Sequence, residues 1–259
     1  MRIHASHILF GVLACTGCGD AAPSEPVSEA SLALSNLDFD VDFAGCSEFA
    51  GIGFVPRANA AALVPAGYTL AGTAENAVIV VRVASCEAVS VDGKKASPGT
   101  VAQIGISLVG GDATADINNY ALWYTTDHSL LHAKLTAAGV DAIKENDLEY
   151  SLAVAGGTGS LETSSSTAQT PSYDVNGGVI VPTSSPTTFT ASWWQNGQHG
   201  VVRSRTVFPD IRFSGASMTL TTPAGSALAN LIGGTTLTFP LLDSHNGFAT
   251  AHLEVRDMD

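Results

Sequence analysis

The chain has 259 residues, with 11 basic side chains against 24 acidic ones and a formal net charge of −13. That balance excludes a face built to grip a phosphate backbone, which needs clustered cations, so no nucleic-acid partner is expected. Only 14% of residues are charged and 45% are hydrophobic, a composition that packs a core. No apolar run reaches the roughly 18 residues of a spanning helix.

Residues 1–18 read MRIHASHILFGVLACTGC. Arg2 gives a positive start, Ile8 to Ala14 form a short apolar core, and small residues follow. This is the layout of an export signal. Its end resembles the lipobox of bacterial lipoproteins, in which a small residue precedes a Cys that is acylated. Cys18 is the preferred lipidation site on length, and Cys15, after Val12-Leu13-Ala14, is the alternative. Residues 19–35 are rich in Ala, Ser, Pro and Glu and read as a flexible tether. The expected location is the cell envelope, held to a membrane by the N-terminal lipid only; a secreted soluble protein is the alternative. The other two cysteines, Cys46 and Cys86, are an even pair in an exported chain and are expected to form a disulfide.

Residues 36–259 read as a single domain dominated by strand signals. Leu37 to Phe43 alternates apolar and acidic residues. Pro56 opens a short helix through Ala60 to Leu63. Ala77 to Ser85 is apolar on both faces, as in a strand covered from both sides, and Thr100 to Val109 and Tyr120 to Tyr124 are further strands. Thr126 or Asp127 is placed to cap a helix Ser129–Ala138 with Leu130, Leu131, Leu135 and Ala138 as its apolar stripe. Strands follow at Leu148–Val154, Ser160–Gln169, Thr187–Trp194, Gly200–Phe208 and Phe213–Thr221, with Asn196-Gly197 as a two-residue hairpin signal. Pro223 to Ile232 is a third short helix, and Leu237–Phe239 and Phe248–Val255 close the chain. Consecutive strands joined by short turns give a mainly β (α+β) fold: a curled antiparallel sheet or barrel with about three short helices.

This order of elements, with Leu63-Val64-Pro65 ending the first helix, the strand Asn119–Thr125 running into a helix, and the late Gly225-Ser226-Ala227-Leu228 helix, resembles the acetoacetate decarboxylase-like family. The resemblance implies a cone-shaped antiparallel barrel around a small-molecule cavity. It also implies a Schiff-base lysine in a Pro-Lys-Lys-like stretch, whose pKa is lowered by a neighbouring cation and by desolvation. The sequence has no such stretch. Lys94 and Lys95 follow an Asp-Gly turn, and Lys134 lies on the helix after Trp123 with no second cation nearby in sequence. No catalytic residue is therefore assigned; Lys134 is the alternative for a decarboxylase or lyase acting on a keto acid. A cavity kept for binding is the more economical reading, with a purely structural surface module as a third.

Candidate ligand contacts are Arg82, which interrupts an apolar run and so calls for a carboxylate partner (Glu75 or Glu87) or an anionic ligand; Arg203 and Arg205, which face one way on a strand; and the rings of Tyr120 and Trp123. Trp193 and Trp194 are adjacent and point to opposite faces. His128 and His132 share a helix face at zinc-like spacing, but the Glu of HExxH is missing, so no metal site is assigned and this pair is the weak alternative. No cofactor is expected. The expected partner is a small apolar or weakly acidic molecule, and the sequence is silent on oligomeric state.

Overall fold

The computed structural model describes residues 37–110, 116–146, 148–151, 160–163, 173–177, 181–182, 185–215, 218–239 and 244–258. The signal-like segment, the tether, Cys15 and Cys18 lie outside the described residues. Chain order is β1 (Phe39–Pro56), α1 (Arg57–Ala61), β2 (Asn76–Val91), β3 (Ser97–Ser107), β4 (Ile117–Thr126), α2 (Ser129–Ala137) and β5 (Ala142–Lys144). Short strands β6 (Glu149–Ser151), β7 (Ser160–Thr163), β8 (Tyr173–Gly177) and β9 (Val181–Pro182) follow. Then come β10 (Thr187–Asn196), β11 (Val201–Gly215), β12 (Met218–Thr221), α3 (Ala227–Ile232), β13 (Thr236–Phe239) and β14 (Ser244–Asp257).

The main sheet runs β10-β11-β14-β1-β2-β3-β4 and closes by pairing β4 with β10. All of these junctions are antiparallel except β4–β10, which is parallel. A ring of seven strands cannot alternate direction throughout, so one parallel junction is a geometric necessity. Strands β5 and β9 extend the sheet, and a second sheet of order β13-β12-β8-β7-β6 lies apart. The expected barrel-like β fold with three short helices is thus the observed one.

Two cores divide the work. Leu220 of β12, Phe239 of β13 and Leu228, Leu231 and Ile232 of α3 pack on the outer face of β2 and β3, where Ile79, Val81, Ile104 and Ile106 are buried. This is why the Ala77–Ser85 segment is apolar on both faces. The second core fills one end of the barrel interior with Phe39, Val41, Phe43, Val89, Val91 and Val255. Leu131 and Leu135 of α2 belong to it as well.

Several local expectations need correction. The cap of α2 is His128, whose Nδ1 accepts from Leu131 N–H at 3.1 Å. Thr126 and Asp127 are already engaged, Thr126 Oγ1 by His128 N–H at 3.1 Å and Asp127 Oδ1 by Thr100 N–H at 2.7 Å. Leu130 is not in the helix's buried stripe but 38% exposed. The β10–β11 turn spans Gly197 to Gly200, closed by a Gly197 N–H to Gly200 O bond of 2.7 Å, because Asn196 pairs with Val201 and remains in the ladder. The segment Phe213–Thr221 is divided between β11 and β12, which belong to different sheets.

Candidate functional site

β1 and β2 bring the first pieces of the site together. Near the α2 end, odd-numbered residues of both strands are buried (Val41, Phe43, Val89, Val91). Further along, the inward residues are even-numbered: Cys46, Glu48 and Ala50 on β1, Cys86, Ala84 and Arg82 on β2. The phase changes at Gly45, whose φ is +60°, a left-handed conformation that glycine adopts without steric cost. β2 changes phase at the same level, where its register with β3 shifts between Cys86 and Val89. Directly after this kink, Cys46 and Cys86 are cross-strand partners and form the expected disulfide, with S–S 2.07 Å.

Beyond the disulfide the interior is hollow. A cavity there leaves about 60 Å³ open to the centres of water-sized molecules. One water needs about 10–15 Å³ by that measure, so the space holds roughly four to six such groups. Its existence follows from side-chain size. At this level the wall carries Ala50, Ser107, Ala191 and Thr206, where the α2 end carries Phe39 and Phe43. Gly105 of β3 makes further room: a Cβ there would stand 2.3 Å from Tyr120 O and 2.7 Å from the ring of Trp193. Phe189, Trp193 and Phe208 line the β10–β11 side, and Ile52, Val80 and Ile117 the rest of the apolar wall.

The polar part of the cavity is Arg82 with its neighbours. Glu48 Oε2 accepts from Arg82 Nε at 2.6 Å and lies 2.5 Å from Nη2. Nη1 donates to Gln103 Oε1 at 2.7 Å, and the guanidinium sits 5.4 Å from the centroid of the Phe208 ring. Glu48 is 0% exposed, so the pair is a buried ion pair with neutral total charge. The carboxylate partner of Arg82 is thus Glu48, not Glu75 or Glu87: both of those are exposed, and β1 supplies the carboxylate across the ladder, where Glu48 faces Ala84. A guanidinium has five N–H donors, of which three serve these contacts, leaving one on each Nη. Asn119 is buried in the same wall, and its Oδ1 accepts from Ser107 Oγ at 2.9 Å, which leaves its NH₂ group as a further donor. Tyr124, the β4 partner of Gln103, is fully buried. Burial pushes its phenol up to about 12, against the pull of the Arg82 charge, so it remains an O–H group.

The other sequence candidates sit elsewhere. Tyr120 is on the outer face of β4, its ring 4.9 Å from that of Tyr68, and both phenols are raised, chiefly by burial. Trp123 packs, partly buried, against the outer core. Arg203 lies 5.9 Å from the centroid of the Trp194 ring. Arg205 Nε donates to Asp116 Oδ2 at 2.7 Å, and Nη1 is 3.8 Å from Glu254. These four residues are not among those lining the cavity. Of the two tryptophans, Trp193 faces inward, and Trp194 donates through Nε1 to Asn118 Oδ1 at 2.7 Å. His128 uses both ring nitrogens: with Nδ1 accepting from Leu131, Nε2 carries the proton toward Ser97 Oγ, 2.9 Å away. Burial lowers its pKa. Among the described residues no group of three or more His, Cys, Asp or Glu side chains gathers into a metal site, and no helix is long and apolar enough to cross a membrane.

The chain has four lysines, all among the described residues. Lys94 and Lys95 are exposed beyond β2, and Lys144 bonds Asn146. Lys134 Nζ is 2.6 Å from Asp92 Oδ2 and 5.9 Å from the centroid of the Phe39 ring. Phe39 and Glu48 are nine residues apart on β1, roughly 30 Å of strand, beyond the reach of a lysine side chain.

No family model matches the chain, and no curated protein sequence matches it. Solved structures do. The chain superposes on an enduracididine biosynthesis enzyme, MppR, complexed with pyruvate at TM-score 0.55 and 11% identity, covering 92% of this chain and 96% of that one. An acetoacetate decarboxylase-like enzyme from Sphingomonas wittichii RW1 gives 0.54 and 11%, covering 91% and 97%. A structure of acetoacetate decarboxylase gives 0.51 and 8%, covering 83% and 84%. The likeness establishes that this chain has the acetoacetate decarboxylase-like fold.

Proposed function

We propose that this chain is a binding protein on an acetoacetate decarboxylase-like barrel, and that its cavity takes a small, mostly apolar or weakly acidic molecule bearing one hydrogen-bond acceptor. The observation that carries the reading is a cavity with spare N–H donors on Arg82 and Asn119 and the Thr206 hydroxyl in its wall, and with no lysine there. Spare N–H donors select a carbonyl or carboxyl oxygen, and the Thr206 hydroxyl can donate to the same group. Glu48 already neutralises Arg82, so a fully charged anion gains less here than beside a lone guanidinium.

The same observation argues against Schiff-base chemistry. That chemistry needs a neutral lysine amine at the reacting carbon. The lysines of this chain stand on exposed turns or pair at other places, and Lys134 is engaged by Asp92. An N-terminal signal ending in a lipidated Cys18, or Cys15, and a tether over 19–35 complete the reading: an exported receptor domain held near an envelope membrane. The buried disulfide is consistent with export.

Small carbonyl compounds, including pyruvate and butanoate, are to be titrated against the purified protein while following tryptophan fluorescence, because Trp193 lines the cavity. Saturable quenching, lost in Arg82→Met, is the expected result. Borohydride reduction in the presence of pyruvate is expected to add no mass. A reduced adduct on any lysine would establish the enzymatic reading instead. The absence of saturable binding by any compound would end the receptor reading.

A further inference from the structure

The wall of the cavity does not stop at its mouth. Past Arg82, β2 continues inward-facing with Val80 and Val78, and past Ala50, β1 continues with Ile52 and Phe54. These are rungs of one ladder: Ala50 pairs with Arg82, Ile52 with Val80, Phe54 with Val78. Their odd-numbered neighbours turn the other way, and there Val55 and Ile79 are buried and a Cβ on Gly53 would meet the Phe239 ring at 2.9 Å. The inward face is therefore an unbroken apolar track leaving the polar floor. Its outer end is wet: Phe54 is 40% exposed, and Ile117 across the mouth 45%. Phe54 and Ile117 thus leave apolar surface in water at the open end of this track.

We infer that the track is the seat of a linear aliphatic tail, and that the ligand is an amphiphile: a carbonyl or carboxyl head against Arg82, and an unbranched hydrocarbon chain running out past Ile52 and Val80 to Phe54 and Val78. The inference rests on the proposed binding role and specifies its ligand. The occupant follows from continuity with the cavity, since the track begins at the head site and its β1 and β2 side chains beyond Arg82 are all apolar, while Ser107 and Asn119 on the β3–β4 wall bond each other. Successive rungs are about 6.6 Å apart along the strand. An extended chain advances about 1.2 Å per bond. A tail of roughly five carbons reaches the Ile52–Val80 rung, and one of roughly ten reaches Phe54–Val78.

The test is a length series of linear alkanoic acids from butanoic to dodecanoic, each below its micelle concentration, titrated by calorimetry against the wild-type chain and Phe54→Ser. Wild-type affinity is expected to climb up to about fourfold per added methylene, the value of burying one CH₂. Phe54→Ser should match wild type for butanoate and fall progressively behind beyond about eight carbons. If butanoate binds and longer acids bind no better, the tail track is wrong while the small-molecule reading stands. If no acid and no small carbonyl compound binds, both fall. If length dependence is absent and Phe54→Ser instead lowers the mass seen by sedimentation, the track is a contact between copies of this chain and the inference is overturned.

Discussion

Arg82→Met is the most informative single change. It keeps a long apolar side chain against Phe208 and removes every donor that Glu48 receives from the guanidinium, at 2.6 and 2.5 Å. Glu48 is 0% exposed, so water cannot replace what is lost. Removing one partner of a buried pair costs about 3–5 kcal/mol, because the remaining charge is left in a low dielectric. At about 2–4 °C per kcal/mol for a domain of this size, Tm should fall by about 6–20 °C. Glu48→Leu alone should be destabilising for the mirror-image reason. The double variant Glu48→Leu/Arg82→Met leaves no orphan charge and should recover to within about 1–2 kcal/mol of wild type, since apolar replacement of a whole buried pair is often neutral. Urea unfolding of the four proteins gives the cycle directly. A loss below about 1 kcal/mol in Arg82→Met, or a double variant whose loss equals the sum of the singles, would refute the claim that the two groups form a desolvated pair.

Three other expectations follow from the same structure. Cys46 and Cys86 close a separation of 40 residues, so reduction or the double Ser variant should cost about 4 kcal/mol in the chain-entropy description, read as a shift of the urea midpoint; an unmoved midpoint would contradict it. The pKa of His128 is lowered in the folded protein, so the unfolded chain binds the proton first. Its contribution is complete above the ordinary histidine value near 6.5 and declines as pH falls from there through the depressed folded value. His128→Asn, which keeps the helix cap, should therefore lose less stability than wild type between about pH 7 and pH 5 in thermal melts, and parallel curves would count against it. Gly105→Ala would place a methyl 2.3 Å from Tyr120 O and 2.7 Å from the Trp193 ring, so it should cost about 1–3 kcal/mol and shift the tryptophan emission as the ring moves into the cavity.

The sequence made the barrel legible where each strand keeps one phase. The Ala77–Ser85 run could be read as doubly covered, and Arg82 as an interior charge, because a lone cation among valines on a covered strand must meet a carboxylate or a ligand. Its partner could not be read. Glu75 and Glu87 are closer in the chain, but contacts across a ladder follow register, and register between β1 and β2 is not local information. The stretch from Ala44 to Gly53 hid the site for a related reason. It carries glycines at 45, 51 and 53 and reverses its alternation at the first, so a period-two pattern does not run through it. Those glycines serve the architecture: one flips the strand's facing, and another accepts the Phe239 ring from the second sheet.

The hollow itself was still less visible, since it depends on how small residues from separate strands coincide. Ala50, Gly105, Ser107 and Ala191 are ordinary one by one. Only ring closure through the β4–β10 pairing gathers them around one hollow, beyond the layer of Phe39, Phe43 and Val41 and beside the one cavity-facing guanidinium among the described residues. The lysine question ran the other way. The chain has four lysines, and their absence from any Pro-Lys-Lys stretch is plain in the sequence. What the fold adds is distance: roughly 30 Å of strand separates the Lys134 neighbourhood from Glu48, so no rearrangement of that side chain alone could bring an amine to the cavity.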